Sequence, residues 1–171
     1  LQDGVEPEQV LAMTFTNKAA QEMGRRVEQL CGGFAGQRMR VSTFHSSCAR
    51  FLRRDGHLLG YSPSFSIYDT EDRDSLIKVL MAEQGLDKKK APGRAGVRPA
   101  QVGRLISQLK NLRMEPREVG GTSELHQVVR QLWDGYHERM RSLDAMDFDD
   151  LQLEFLRLLE EHEEVRDRYR A

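Results

Sequence analysis

VLAMTFTNKAAQEM, residues 10–23, sets the architecture of the chain. Val10, Leu11, Ala12 and Met13 make a short apolar run that reads as a strand. Thr14, Phe15, Thr16 and Asn17 form a polar turn, and a helix opens at Lys18 with Asn17 as its natural N-cap. The first amides of a helix have no internal partner, and the helix dipole adds partial positive charge there, so this junction favours a phosphate. Phe15 interrupts a turn rich in hydroxyls and amides. Either its ring packs beneath the turn, as most aromatics do, or it stacks on a base. Lys18 is either a surface lysine or a phosphate contact.

Working outward, the helix continues to about Leu30 on a stripe of Ala19, Ala20, Met23, Val27 and Leu30, and Gly32 and Gly33 are expected to stop it. The next segment repeats the unit. Met39–Phe44 (MRVSTF) alternates and is β-branched at its centre, which predicts a strand. A helix follows from about His45 to Leu59, with Cys48, Ala49, Leu52 and Leu59 inward, and Ser64–Asp69 (SFSIYD) reads as a third strand. This succession predicts one parallel sheet with crossover helices. Its two strand-to-helix junctions then share the carboxyl edge, where α/β proteins bind ligands. Thr43 and His45, at the second junction, suit a sugar-phosphate backbone. His45 beside Ser46, Ser47 and Cys48 lacks an acidic orienting partner and a GxSxG elbow, which argues against a hydrolase.

After Asp69 the pattern becomes helical. Asp69 or Thr70 caps a helix to about Gln84, and Gly85–Arg98 (GLDKKKAPGRAGVR) is a basic loop. Pro99 suits the first position of a helix reaching about Arg113, whose inward residues are Val102, Leu105, Ile106, Leu109 and Leu112. Thr122 or Ser123 caps the longest helix, striped by Leu125, Val128, Val129, Leu132, Trp133, Tyr136 and Met140. Three amphipathic helices in a row predict an all-α subdomain inserted into the α/β part. Asp144–Asp150 (DAMDFDD) reads as an acidic helix start, with Asp147, Asp149 and Asp150 serving the helix N-terminus rather than a metal. The helix from about Phe148 is expected to end in a frayed charged tail.

A formal net charge of −1 confines any polyanion-binding surface to part of the chain. Between Asp87 and Arg117 nine basic residues stand against two acidic ones, whereas from Asp144 to Ala171 ten acidic residues outnumber four basic ones. Cys31 and Cys48, without CxxC spacing, argue against a disulfide scaffold or a zinc site and for a reducing compartment. No apolar run nears the roughly 20 residues of a membrane span, and the polar, acidic start LQDGVEPEQ is unlike a secretory signal. A cytoplasmic location and no membrane partner are expected. The chain starts without Met and is expected to be a piece of a longer polypeptide.

TFTNKAA at 14–20, STFHS at 42–46 and DFDDL at 147–151 resemble, in order, motif Ia, motif Ib and the segment before the Walker B strand of the UvrD/PcrA/Rep group of superfamily 1 DNA helicases. LRRDGHLLGYSPSFSIYD and ISQLKN resemble that group's run from motif Ib into its inserted helical subdomain, so the resemblance covers nearly the whole chain. It implies an α/β fold, predominantly helical overall: a partial parallel RecA-like sheet of the P-loop NTPase kind with an inserted all-α subdomain. Residues 1–69 and 144–171 correspond to the partial RecA-like domain, and 70–143 to the insertion.

The same resemblance implies a parent protein that moves 3′→5′ on single-stranded DNA and opens duplex in repair or replication, using ATP and Mg²⁺, with single-stranded and forked DNA as partners. It makes Phe15 the base-stacking ring. Asn17, Lys18, Thr43 and His45 join it at the strand, and Lys88, Lys89, Lys90 and Lys110 of the basic stretch add backbone contacts. The chain carries no GxxxxGK[ST] loop and no DExxQ segment. No catalytic residue, cofactor or metal is therefore expected in it, and alone it is expected not to hydrolyse ATP. The alternative is a non-catalytic single-stranded DNA-binding or protein-interaction module on the same scaffold. A parallel sheet cut between strands leaves bare edges, which predicts self-association.

Overall fold

Parallel strands cannot be joined by a tight turn, and the chain makes its first such connection with two helices. The computed structural model describes residues 5–86, 96–118 and 120–170, and the chain divides into two compact units, Leu1–Pro63 with Glu154–Ala171 and Ser64–Leu153. In the first unit a 3₁₀ turn at Pro7–Gln9 leads into β1 (Leu11–Thr14). The chain runs through α1 (Asn17–Cys31) and α2 (Gly33–Arg38) and returns as β2 (Arg40–Thr43), parallel to β1. The register pairs Leu11 with Arg40 and Thr14 with Thr43, so the strands end level. Gly32 breaks α1 at φ 81°, as the sequence predicts, but the chain turns straight into α2. Gly36 permits that return: a Cβ there would lie 2.5 Å from the Glu28 Cα. α3 (Phe44–Asp55) follows β2 directly and buries Cys48, Ala49, Phe51 and Leu52 before a 3₁₀ turn at Gly56–Leu59.

The second unit holds β3 (Ser66–Tyr68), α4 (Thr70–Glu83), α5 (Pro99–Leu112), α6 (Glu124–Ser142), β4 (Ala145–Asp147) and the start of α7 (Phe148–Glu161). Helices begin where short polar side chains and proline predict. Asp69 accepts from the Glu71 and Asp72 amides at 2.7 and 2.9 Å, Pro99 opens α5, and Ser123 caps α6. Ile77, Val102, Ile106, Val129, Leu132 and Tyr136 fill the core between these helices. Leu112, expected inward, is exposed because it ends α5 beyond the packed face. The basic loop expected over 85–98, with Lys88, Lys89 and Lys90, lies largely outside the described residues.

The spacing predicts one three-stranded sheet, whereas the described residues form two separate parallel pairs. β3 pairs with β4, from Ser66–Ala145 to Tyr68–Asp147. DAMDFDD thus contains a strand before its helix. All of β4 is buried, and a strand covered on both faces shows no alternation in sequence. This pairing carries both strands into the compact unit Ser64–Leu153.

The first unit is completed by the end of α7 and by α8 (Glu163–Arg170), where charge alone predicts a frayed tail. The segment is helical because it has anchors. Val165 is buried, the Tyr169 ring lies 4.5 Å from Phe51, and its hydroxyl donates to the carboxylate of buried Asp55.

Candidate nucleic-acid interface

Thr14 and Thr43 are register partners, so the residue after each stands at the same rim of the β1–β2 pair. Both are phenylalanines. The Phe15 and Phe44 rings lie 5.1 Å apart, tilted by 37°. Phe15 is 88% exposed and Phe44 half-buried, so Phe15 does not pack beneath its turn.

Each turn is fixed by a threonine cap. Thr16 Oγ1 accepts from the Ala19 amide at 3.1 Å, which makes Thr16 the N-cap of α1 and Asn17 its first helical residue, one position from the sequence expectation. Thr14 Oγ1 donates to the Thr16 carbonyl at 3.0 Å. At the second junction Thr43 Oγ1 accepts from the Ser46 amide at 3.2 Å and donates to Ser46 Oγ at 2.8 Å. The buried Ser42 and Ser47 hydroxyls meet at 2.6 Å and tie β2 to α3. The serines beside His45 therefore build the turn. Thr43 is itself buried with its hydroxyl engaged, so it shapes the site rather than facing a ligand.

Two helix N-termini thus open at one rim, each with first-turn amides that lack an intrahelical acceptor. Asn17 and Lys18 are exposed on the first turn of α1, and half-buried His45 lies on the first turn of α3. The rim gathers Phe15, Asn17, Lys18, Thr43 and His45. It also gathers Phe44, which no local pattern assigns to a ligand but which the repeated Thr-Phe pair at both strand ends marks.

Lys110 does not join this set. It is 4% exposed in the second unit, and its ammonium donates to Asp147 Oδ2 and Asp150 Oδ1, each at 2.7 Å. Tyr136 Oη donates to Asp147 Oδ2 at 2.8 Å. The two carboxylates also cap α7 reciprocally: Asp147 accepts from the Asp150 amide at 2.9 Å, and Asp150 from the Asp147 amide at 3.1 Å. Burial opposes the lysine charge, but Asp150 and Asp147 outweigh it and hold Lys110 above the usual lysine pKa. Burial also resists ionisation of Asp147, yet Lys110 holds that carboxyl below the usual range. Asp150, enclosed and beside the Asp147 charge, is held above it. Lys110 is buried, not presented to a ligand, because of helical geometry. Lys110 lies one turn beyond Ile106 on the face of α5 that enters the core, so its charge is met internally. Lys88, Lys89 and Lys90 lie outside the described residues.

The profile of the UvrD/REP helicase N-terminal domain matches residues 1–171. The chain belongs to that family. The ATP-dependent DNA helicase PcrA of Bacillus subtilis is 40% identical over 169 residues, which cover 96% of this chain and 22% of that protein. The ATP-dependent DNA helicase UvrD1 of Mycobacterium leprae is 38% identical over 168 residues, covering 95% of this chain and 21% of its own. PcrA of Staphylococcus aureus is 38% identical over 167 residues, with 96% and 22% covered. The chain therefore spans about a fifth of the length of these curated relatives.

Those relatives are ATP-dependent by name, whereas the sequence of this chain contains no GxxxxGK[ST] run. The Asp147 and Asp150 oxygens are committed to Lys110, Tyr136 and the α7 amides, which does not suit Mg²⁺. Among the described residues no group of three or more His, Cys, Asp or Glu is placed to hold a metal ion. Nor is any described helix long and apolar enough to cross a membrane.

Proposed function

We propose that this chain supplies a single-strand grip within an ATP-dependent DNA helicase. The observation that carries the reading is the Phe15 ring, 88% exposed at a rim where two helix N-termini open. Burying a phenyl group stabilises a fold by roughly 1.5–3 kcal/mol, and Phe15 forgoes most of that. Stacking on a base returns about 1–3 kcal/mol per base and is indifferent to sequence. The first-turn amides of α1 and α3, with Asn17, Lys18 and His45, then take the adjoining phosphates, while Thr16 and Thr43 keep the two turns in shape.

In the whole protein this grip serves 3′→5′ movement along single-stranded DNA and opening of forked DNA, in repair or replication, in the cytoplasm. ATP and Mg²⁺ belong to the whole protein, and the chain alone is expected to leave ATP unhydrolysed. Lys88–Lys90 add backbone contacts. Self-association belongs to the same proposal and is supported by exposed Leu30 and Phe34 on the first unit.

The test is fluorescence anisotropy with a labelled oligo(dT). Phe15→Ala should weaken binding about five- to 150-fold, the equivalent of about 1–3 kcal/mol, with unchanged thermal melting. Undiminished affinity in a folded variant would remove the reading.

A further inference from the structure

We propose that Phe44 is the positioning residue for Phe15, propping the exposed ring in the orientation on which a base stacks. The inference rests on the reading of Phe15 as the stacking ring and extends it to a residue that need not touch DNA.

An aromatic side chain on an exposed turn, with nothing behind it, moves among its rotamers. A base that binds must first order it, which subtracts from affinity. Phe15 has a partner. Because Thr14 and Thr43 are opposite each other in the parallel register, the chain delivers Phe15 and Phe44 to adjacent points of one rim. The 5.1 Å separation falls within the range in which aromatic pairs attract, and the 37° tilt turns the rings partly face to face.

The two rings differ in how firmly they are held. Phe44 is the first residue of α3, half-buried, with Thr43 capping the helix before it and the buried Ser42–Ser47 contact tying that helix to β2. Phe15 lies in the turn between β1 and the Thr16 cap and is 88% exposed. The fixed ring therefore supports the free one. The wide exposure of Phe15 leaves surface for a base on the side away from Phe44.

The experiment measures binding of a single-stranded oligonucleotide carrying one 2-aminopurine, by anisotropy and by quenching of the 2-aminopurine on stacking. The full chain is compared with F15A, F44L, F44Y and the F15A/F44L double variant. Leucine fills the half-buried space of Phe44 without an aromatic face, so the fold is kept, as circular dichroism and thermal melting will verify. F44L should weaken binding about two- to tenfold and reduce the quenching, F44Y should restore both, and F44L should have no further effect in the F15A background.

If F15A weakens binding and F44L does not, positioning is overturned while stacking by Phe15 stands. If F44L weakens binding by the same factor with and without Phe15, Phe44 acts on its own account and positioning is again overturned. If F15A itself changes nothing, the reading of Phe15 fails and this proposal fails with it.

Discussion

At the rim of the β1–β2 pair a phenylalanine is 88% exposed and Lys18 stands in solvent; in the centre of the α4–α6 unit Tyr136 is 0% exposed and Lys110 4%. The same kinds of side chain meet opposite fates. A lysine is stable inside only where carboxylates replace the water it loses, and Asp147 and Asp150 provide that replacement at 2.7 Å. At the rim the described geometry gives Phe15 one ring to rest on, and Leu30 and Phe34 are likewise exposed on the same unit. Groups that the fold satisfies belong to stability, and groups it leaves open are candidates for function.

The largest test of that contrast is Lys110→Met. It strands two buried carboxylates without a counter-charge, and a loss of about 3–5 kcal/mol in urea unfolding is expected. A loss below about 1 kcal/mol would make the centre no different from a solvated pair. The sign of the pH dependence follows from the shifts. The Lys110 and Tyr136 pKa values are both raised on folding, so their contribution is intact below the ordinary lysine and tyrosine values and is lost as pH rises through the raised ones. The alkaline loss of stability should therefore be shallower in Lys110→Met. In acid the two carboxyls oppose each other. Depressed Asp147 withdraws its contribution as pH falls through its folded pKa, whereas raised Asp150 gains.

A smaller effect tests whether the first unit also has a satisfied polar centre. Tyr169→Phe removes the hydroxyl that donates to Asp55, which is 4% exposed and keeps Arg168 at 3.2 Å. A loss of about 1–3 kcal/mol is expected, with α8 the first element to exchange its amides. Burial, and then the bond to Asp55, push the Tyr169 hydroxyl up to about 12. Its contribution should be complete below the usual tyrosine value and disappear as pH rises through that of the folded state. The smallest effect belongs to Leu30→Ala, which should change stability by no more than about 0.5 kcal/mol because Leu30 is 86% exposed. A larger loss would place Leu30 in a core and erase the contrast.

Much of the candidate site is readable from residues close together in the chain. The Thr-Phe turns and the helix starts at 17 and 44 rest on hydrogen bonds within a few residues. Asn17 is misread as the cap by one position because a threonine and an asparagine stand side by side and either side chain suits that role. β4 is invisible to periodicity, since each of its three residues is buried. Leu30 carries the right spacing for a buried stripe yet is exposed, because spacing specifies a face and not what covers it.

The amino-acid order by itself determined most of the helices and the two strand-to-helix junctions, since neighbouring side chains and amides settle those by local geometry, but not α2 or α8. The fold decided which strand β3 pairs with, that Lys110 turns inward to Asp147 and Asp150, and that Phe44 stands behind Phe15. Each of these joins residues far apart along the chain. Burial makes the Lys110 pairing necessary, because a charge removed from water and left without a partner is costly.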